Sequence, residues 1–300
     1  MKSILIMAAG MGSRYGTLKQ FDQLGPAGEF LFEYSIYDAI GCGFDHVIVI
    51  TKASHESELR DYLRARLPEG VRLDVLAQRI ADLPEDSTFQ GTRQKPWGTA
   101  HAVWTARNCI DSYFVVVNAD DFYGSRSMEL ASEFIDGAHD NDEFGLVPYV
   151  LSETLSEEGS VSRAVCRAEA GYLKEIIEYK EVVRDERGLA DTETGVRFTG
   201  DEITSMNFWI LSPLVFDLIE EDLRQFVHSE GAEGNDELFI PKQVQQWMGQ
   251  GQVRVRLTEP GSDWFGVTYS NDKHKAIQKL NDKTRDNSYP SPLWKKLKTS

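Results

Sequence analysis

The chain has 300 residues, of which 41% are hydrophobic and 27% are charged, a composition typical of a globular protein with a substantial core. Its 48 acidic residues outnumber its 32 basic residues, and the formal net charge of −16 disfavours nucleic acid or an anionic membrane as the main partner. No apolar run approaches the ~20 residues that span a bilayer. No signal peptide is visible and the three cysteines are far apart, so we expect a cytoplasmic protein without a disulfide framework.

The first half of the chain alternates between predicted strands and predicted helices. An apolar run from Ile4 to Ala9 predicts a buried strand, and a loop with three glycines follows it. Further apolar runs predict strands at 47–50, 71–76, 113–117 and 144–151. Helical spacing, with Ser54 as the expected cap of the second helix, predicts helices at 30–40, 54–67, 100–109 and 126–137. Units of this length indicate a parallel sheet with right-handed crossovers.

The pattern changes after residue 151. Glycines and charged turns separate a set of short predicted strands, at 161–167, 173–179, 182–184 and 203–211. Such strands indicate antiparallel structure inserted in the α/β scheme. The rest of the chain predicts helices at 213–227, 236–248 and 271–281 and strands at 253–257 and 265–268. The final residues, 291–300, are expected to be frayed or to dock through Leu293 and Trp294.

The loop after the first strand carries two cations beside its glycines. Gly10 and Gly12 let a phosphate approach the backbone N–H groups, and Arg14 and Lys19 neutralise charge that the amides cannot. A P-loop is excluded, because its glycine spacing before Lys and Ser or Thr is absent. A dinucleotide fingerprint is disfavoured, because Tyr15 stands where the third glycine is required. The pattern indicates a polyphosphate site, and a mobile glycine turn is the alternative.

Two adjacent acids, Asp120 and Asp121, follow the predicted strand at 113–117. Ligands of open α/β folds bind at the carboxyl ends of the strands, so these acids are expected at the site. One of them could coordinate a hard divalent cation while the other lies beside it. The alternative is a helix cap or a loop acid without a ligand.

The opening loop resembles a known signature. Met7-Ala-Ala-Gly-x-Gly-Ser-Arg14, followed by Lys19-Gln20, resembles the signature of the nucleotidyltransferases, the sugar-phosphate pyrophosphorylase superfamily. The usual form is an apolar strand, A-A/G-G-x-G-S/T-R, a variable gap and P-K. In this chain Leu18 replaces the proline. The gap is short, as in the compact cytidylyl- and guanylyltransferases.

Two further segments are similar to motifs of that family. Gln94-Lys-Pro-Trp-Gly-Thr-Ala100 resembles Q-x-x-P-x-G-T-A, and Asn118-Ala-Asp-Asp-Phe-Tyr-Gly124 resembles the G-D motif at a strand end, with Ala119 in place of glycine. The resemblance implies that Gln94 reads the base edge and that Gly98 and Thr99 pack under the nucleoside. A simple helix cap is the alternative for Gly98-Thr99.

The resemblance also implies the residues that act on the phosphates. Arg14 and Lys19 would hold the triphosphate and the leaving pyrophosphate, and Asp120 would bind Mg²⁺ with Asp121 beside it. The residues of the nucleotide-binding loop would be Ala8, Ala9, Gly10, Gly12 and Ser13. Thr268 occupies the position where relatives carry a second metal ligand, and because threonine is a weak ligand the second contact stays open.

Three residues of the inserted part loosely resemble the family's E-K-P and N-x-G stretches, which contact the second substrate. Glu178 and Lys180 lie in the first stretch, and Asn207 lies in the second. Asn207 could bind a hydroxyl group and Lys180 could bind the phosphate of an acceptor. A salt bridge at a strand edge and a buried, fully hydrogen-bonded Asn are the alternatives.

The resemblance implies a Rossmann-like, GT-A-type α/β fold, with a mostly parallel sheet flanked by helices and a small antiparallel insertion on the substrate side. A single domain, 1–300, would contain a nucleotide-binding half at 1–150, an acceptor-side half at 151–270 and a helical tail at 271–300. The expected reaction transfers a nucleoside monophosphate from a nucleoside triphosphate to a phosphorylated acceptor, most simply a sugar 1-phosphate, with release of pyrophosphate.

Three alternatives stay open at this point. One is a cytidylyltransferase for a phosphorylated alcohol such as phosphocholine. The second is a GT-A glycosyltransferase, which would favour a D-x-D motif in place of two adjacent acids. The third is a catalytically silent nucleotide-sensing subunit, which the retention of Arg14, Lys19 and Asp120 disfavours. The sequence does not identify the base, the acceptor or the oligomeric state, and a homo-oligomer is possible.

Overall fold

A computed structural model describes residues 1–10, 22–89, 91–233, 236–267 and 272–294. The strands are β1 (Ser3–Met7), β2 (His46–Thr51), β3 (Arg72–Ala77), β4 (Phe114–Asn118), β5 (Asp121–Phe122), β6 (Glu143–Val150), β7 (Val161–Glu169), β8 (Tyr172–Asp185), β9 (Gly188–Asp191), β10 (Arg197–Phe198), β11 (Ile203–Leu211), β12 (Arg254–Leu257) and β13 (Phe265–Gly266). The helices are α1 (Leu31–Gly41), α2 (Glu56–Arg64), α3 (Thr99–Trp104), α4 (Ser125–Asp136), α5 (Leu214–Phe226), α6 (Glu230–Glu233), α7 (Ile240–Gly249) and α8 (Asp272–Arg285).

Eleven strands form one continuous sheet in the order β10-β9-β8-β12-β6-β11-β4-β1-β2-β3, with β7 paired to both β11 and β8. Strands β3, β2, β1 and β4 are parallel, as the strand–helix alternation predicts. In this register Met7 lies opposite Asn118, so the loop that follows β1 and the loop that follows β4 leave the sheet side by side. The start of the predicted phosphate loop, as far as Gly10, and the acidic pair therefore lie at the carboxyl ends of neighbouring strands.

The α/β class is confirmed, but the antiparallel part of the sheet is larger than the predicted small insertion. Strand β11 runs antiparallel to β4, β6 and β7, and β8 runs antiparallel to β7, β9 and β12. Among the described residues, β12 and β6 form the only parallel pair in this part of the sheet. The sheet is therefore mixed rather than mostly parallel.

Two apolar layers cover the two faces of the sheet. Alternation along β1 sends Ile4 and Ile6 to one layer and Leu5 and Met7 to the other. Helices α1, α2, α4 and α8 contribute to the first layer, whereas α3, α5 and α7 contribute to the second. A third, smaller cluster lies in the antiparallel part. None of the helices in the described ranges is long and apolar enough to cross a bilayer.

Some local predictions were wrong. The strands expected at 173–179 and 182–184 are one long strand, β8, and the short strands β5, β9 and β10 were not predicted. Helix α2 begins at Glu56 with His55 at its cap position, and no side chain caps it, so the expected cap by Ser54 is absent. The single-turn helix α6, at Glu230–Glu233, was not predicted.

The described end of the C-terminal segment docks on α1, which confirms the docking expected for Leu293 and Trp294. Both side chains are buried in the first apolar layer. The indole Nε1 of Trp294 donates to Oε2 of Glu33 at 2.6 Å, and the hydroxyl of Tyr289 donates to Oδ2 of Asp38 at 2.7 Å. Residues 289–294 therefore form part of the core that supports β1 and β2.

Candidate active site

A cleft of about 540 Å³ opens at the carboxyl end of β4. One side is formed by the residues after β4 and the start of α3, and the other by β8 and β11 of the antiparallel part. The first turn of α7 contributes to the same wall as β8. The predicted site residues that line this cleft are Thr99, Asp120, Asp121, Glu178 and Asn207. The fold therefore brings together residues from both halves of the sequence.

The two acids after β4 have different environments. Asp120 is half-buried, whereas Asp121 is buried and its Oδ2 accepts a hydrogen bond from Nδ2 of Asn118 at 2.9 Å. The hydroxyl of Tyr123 lies 2.8 Å from the carbonyl oxygen of Met206 and 3.2 Å from Oδ2 of Asp121, so these two acceptors share its proton. Burial, and then the charge of Asp121, raise the pKa of Tyr123 well above its usual value. The phenol therefore stays protonated and ties the β4 turn to β11.

The donor set suits a magnesium ion that is bound together with phosphates. Mg²⁺ in such sites commonly takes one or two carboxylates and fills its other positions with substrate oxygens and water. Asp120 and Asp121 supply carboxylates, and no group of three or more His, Cys, Asp or Glu side chains is placed to hold a metal within the described ranges. A Cβ at Gly266 would lie 2.4 Å from Oδ1 of Asp121, so the glycine leaves the room that this carboxylate occupies.

The junction of Gly98 and Thr99 joins the nucleotide-binding half to α7. Gly98 has φ +106°, and a Cβ there would lie 2.4 Å from the carbonyl oxygen of Leu238. The hydroxyl of Thr99 accepts a hydrogen bond from the backbone N–H of Ile240 at 3.0 Å. Gly98 occupies the N-cap position of α3, as the alternative predicted, but no side chain caps this helix, and the Thr99 hydroxyl bonds the start of α7 instead.

Gln94 is exposed and does not line the cleft. Its neighbour Arg93 is buried and donates to the carbonyl oxygens of Lys95 and Pro96, each at 2.9 Å. The guanidinium carbon of Arg93 also lies 4.4 Å from the centre of the Trp97 ring. A buried Arg therefore fixes this segment, and the reading of a base by Gln94 stays a prediction.

Asn207 lies at a bulge in β11, where the register shifts between Ser205 and Trp209. Its φ of +59° is rare for a residue with a Cβ, although Asn tolerates it better than most. The backbone N–H of Asn207 donates to Oγ of Ser205 at 3.3 Å, and its Oδ1 accepts from Nε1 of Trp209 at 3.4 Å. The bulge places Asn207 in the lining of the cleft, and its contact with a substrate stays a prediction.

Glu178 and Lys180 differ in position although both lie on β8. Glu178 lines the cleft, and its Oε1 accepts from the hydroxyl of Ser162 at 2.9 Å. Lys180 does not line the cleft; its side chain is 68% exposed and its Nζ lies 3.9 Å from the carboxylate of Glu193. The salt-bridge alternative for Lys180 therefore fits its surroundings better than the binding of an acceptor phosphate.

Two cations in the cleft were not predicted. Arg163 is buried, its Nε donates to the carbonyl oxygen of Thr154 at 3.0 Å, and its Nη1 donates to that of Ser162 at 2.7 Å. Burial lowers the pKa of Arg163 to about 10, against the attraction of Asp121, so the guanidinium is charged at neutral pH. Lys242, in the first turn of α7, is the second such cation. An isolated Arg in a strand and an isolated Lys in a helix belong to no motif, so neither could be identified as a site residue from sequence.

The loop that follows β1 is described as far as Gly10. Ala8 and Ala9 are buried, and the backbone N–H of Ala8 donates to the carbonyl oxygen of Ile50 at 2.8 Å. The backbone N–H of Ala119 donates to the carbonyl oxygen of Met7 at 3.2 Å, so the loop starts beside the acidic pair. The predicted site residues that lie outside the described residues are Gly12, Ser13, Arg14 and Lys19.

Three residues of the types found in a hydrolytic triad lie toward the amino ends of the parallel strands β1, β2 and β3, away from the cleft. Nδ1 of His46 is 3.0 Å from the hydroxyl of Ser3, and its Nε2 is 2.8 Å from Oδ2 of Asp74. Ser3 and His46 are completely buried, and burial lowers the pKa of His46. Because no substrate can reach a buried hydroxyl, this is a structural hydrogen-bond chain rather than a hydrolytic triad.

Comparison with known proteins connects the cleft to a family. The chain matches the family model for nucleotidyl transferase over residues 3–156, slightly more than half of its length. Among solved structures, it is similar to the inositol-1-phosphate CTP transferase from T. maritima, with 13% identity and a TM-score of 0.62, covering 94% of this chain and 97% of that one.

Two other solved structures are comparably similar. A putative glucose-1-phosphate thymidylyltransferase from Bacillus anthracis, in complex with a sucrose, shows 15% identity and a TM-score of 0.62, covering 94% of this chain and 96% of that one. A UDP-glucose pyrophosphorylase complexed with UDP-glucose shows 16% identity and a TM-score of 0.63, covering 94% of this chain and 99% of that one.

At such identities the likeness to solved structures shows a shared fold. No curated protein sequence matches the chain. The family match includes the opening loop, Thr99 and the acids after β4, and it shows that this chain belongs to the nucleotidyl transferase family.

Proposed function

We propose that the protein transfers a nucleoside monophosphate from a nucleoside triphosphate to a phosphorylated sugar or a similar polyhydroxylated acceptor, and releases pyrophosphate. The observation that carries this proposal is the position of Asp120, in a cleft that opens between the parallel part of the sheet and the antiparallel part. A transferase needs such a cleft because two substrates must meet there. The similar inositol-1-phosphate and glucose-1-phosphate transferases support a phosphorylated acceptor.

The lining of the antiparallel side favours an acceptor with hydroxyl groups. Glu178, Ser162 and Asn207 offer a carboxylate, a hydroxyl and an amide in one wall of the cleft. These groups can accept from and donate to several hydroxyls at once. A sugar phosphate uses them better than phosphocholine, whose trimethylammonium group has no hydroxyl.

In the proposed reaction an oxygen of the acceptor phosphate attacks the α-phosphorus of the triphosphate. The new P–O bond forms as the bond from the α-phosphorus to the oxygen shared with the β-phosphorus breaks, and the electron pair leaves with pyrophosphate. The acceptor phosphate is already anionic, so no protein nucleophile is required. The protein contributes by positioning and by neutralising charge.

The residues would divide these tasks. Arg14 and Lys19 would bind the triphosphate and the leaving pyrophosphate, as their match to the family signature suggests. Asp120, with Asp121 beside it, would hold Mg²⁺, which when bound withdraws charge from the phosphate oxygens. Thr99 would lie beside the nucleoside, and Asn207 and Glu178 would contact the acceptor. We also propose that the enzyme is cytoplasmic, where nucleoside triphosphates are available.

The test is a pyrophosphate-release screen of nucleoside triphosphates against sugar 1-phosphates, inositol 1-phosphate and phosphocholine, with Mg²⁺. We expect release that requires both a triphosphate and an acceptor. The Lys19→Ala protein serves as the control and is expected to lose a factor of ~10²–10³ in turnover, the usual effect of removing one well-placed donor. Release of free nucleoside diphosphate from sugar nucleotides, or no release from any pair, would contradict the proposal.

A further inference from the structure

Strand β8 supplies an acid to the cleft but no cation. Glu178 lines the cleft, whereas the next residue, Tyr179, packs against Phe198 with ring centres 5.0 Å apart in the small apolar cluster. The following residue, Lys180, lies beside Glu193 and outside the cleft. The position expected to bind the acceptor phosphate is therefore not occupied by a group that reaches the site.

A cation on this side of the cleft would favour the binding of an acceptor phosphate. An acceptor phosphate must approach a triphosphate in a cleft that already contains Asp120, Asp121 and Glu178. Without a positive charge, the repulsion between these groups would oppose binding. The candidates among the described residues of the cleft are the two cations Arg163 and Lys242.

The two candidates differ in how free they are to bind a ligand. Arg163 is buried, and it directs Nε, Nη1 and Nη2 to the carbonyl oxygens of Thr154 and Ser162. Lys242 is exposed, and within the described ranges it forms no salt bridge. Its ammonium group is therefore available to an anion, whereas the guanidinium of Arg163 is used to hold the wall together.

Helix α7 is fixed so that Lys242 faces the cleft. The hydroxyl of Thr99 holds the N–H of Ile240 at 3.0 Å, at the start of the helix. Oε1 of Gln245 accepts from the backbone N–H of Ile176, on β8, at 2.7 Å. Lys242 lies between these two anchors, so both sides of the cleft determine its position.

We infer that Lys242 binds the phosphate of the acceptor, in place of a cation from β8. The inference rests on the proposed function and adds to it the residue that recognises the phosphomonoester. It predicts that affinity for the acceptor depends on a helix that also contacts the nucleotide-binding half through Thr99.

The test compares Lys242→Ala with Lys180→Ala, using the best triphosphate and acceptor from the pyrophosphate-release screen. Both substitutions remove one exposed lysine. We expect Lys242→Ala to raise the KM for the acceptor by about 10- to 100-fold, the usual cost of a lost hydrogen bond to a charged group, and to leave the KM for the triphosphate unchanged. Lys242→Arg should recover part of the loss, and Lys180→Ala should change neither KM by more than about twofold.

Either of two kinetic results would overturn the inference. One is an unchanged acceptor KM in Lys242→Ala, and the other is a larger effect in Lys180→Ala. Failure of the proposed function is distinct, because the wild-type protein would then release no pyrophosphate. In that case inorganic phosphate is titrated into protein with ¹³C-methylated lysines, and a saturable shift of the Lys242 resonance supports the inference while its absence overturns it.

Discussion

Asp120 and Asp121 are adjacent at the end of β4, but their carboxylates have different surroundings. Both line the cleft, but Asp121 is 8% exposed and already accepts a hydrogen bond from Asn118, whereas Asp120 is half-buried. We therefore expect Asp120 to meet the substrate and its cation. Asp121 would hold the turn against β11 through Tyr123.

Asp120→Asn is expected to keep the fold and lose most Mg²⁺-dependent turnover, by a factor of ~10²–10³, because a neutral amide is a poor ligand for a hard cation. Turnover is measured as pyrophosphate release across a series of Mg²⁺ concentrations, with a thermal melt of the same preparation. Asp121→Asn is the matched comparison and should lose less turnover. Wild-type turnover of Asp120→Asn at limiting Mg²⁺ would show that Asp120 is not the principal ligand.

Single residues of the site could be predicted from the sequence only where they belong to a motif. Asp120 ends an apolar strand and Thr99 follows a glycine, so their types and positions indicated a site, and both line the cleft. Arg163 and Lys242 reach the cleft through the pairing of β7 and the anchoring of α7. These contacts join residues that are distant in the chain, so no local pattern could reveal them.

Helix α7 owes its position to a close approach between two backbones. The carbonyl oxygen of Leu238 accepts from the N–H of Ala100, and the N–H of Leu238 donates to the carbonyl oxygen of Trp97. Gly98 lies between these two hydrogen bonds with a positive φ and no room for a Cβ. A side chain at this position would separate α3 from the segment that leads into α7.

Gly98→Ala is expected to lower the free energy of unfolding by about 2–3 kcal/mol, because alanine is strained at this φ and its Cβ would overlap the Leu238 backbone. Urea denaturation measures the change. Gly249→Ala, at the end of α7, is the control because a Cβ there meets nothing within 4 Å, and it should not lower the free energy of unfolding, since alanine favours a helix more than glycine does. Equal stabilities for the two variants would contradict the packing described for Gly98.

Elements were predictable where one apolar pattern sufficed. The strand predicted at 203–211 has the same bounds as β11, and it pairs on both sides along the sheet. Strand β8 was predicted as two strands because polar residues interrupt its apolar pattern. The strand continues because its first part pairs with β7 and its second part pairs with β9. Pairing with these neighbours stabilises a sequence whose own β-propensity is low.

At the scale of the whole molecule, buried carboxylates of the first half hold the C-terminal segment. Oε1 of Glu29 accepts from the backbone N–H of Leu293 at 3.1 Å, and Oδ2 of Asp38 accepts from the hydroxyl of Tyr289. Burial raises the pKa of Asp38 to about 7, although the bond from Tyr289 acts in the opposite direction. The docking of this segment is therefore linked to pH.

The folded protein holds a proton on Asp38 more tightly than the unfolded chain does, so the contribution of this group to stability falls as pH rises from about 4 to about 7. Asp38→Asn removes the titration. We expect the stability of the wild type, relative to this variant, to decrease between pH 4 and pH 7, by at most about 1.4 kcal/mol per pH unit. Thermal or urea unfolding of both proteins across this range measures the difference.

Asp61→Asn, at an exposed position of α2, is the control for this experiment. Its stability should run parallel to that of the wild type at every pH, because this substitution leaves the contact between Asp38 and Tyr289 intact. A profile of Asp38→Asn that is also parallel to the wild type would show that Asp38 does not titrate on docking. Other titrating groups, such as the buried His46, are present in all three proteins, so their contributions to the pH dependence of stability cancel in the comparison.

The continuity of the sheet limits how the cleft can capture its substrates. Strand β11 of the antiparallel part is hydrogen-bonded directly to β4 of the parallel part, beneath the cleft, with Trp209 opposite Val116. A hinge that swung one half toward the other would have to break or bend this ladder. Closure over the substrates therefore requires movement at the opening of the cleft, in side chains such as Lys242 and in the loops around them. Strands β4 and β11 beneath the cleft stay fixed. An enzyme built in this way holds its reacting groups in register before the substrates arrive.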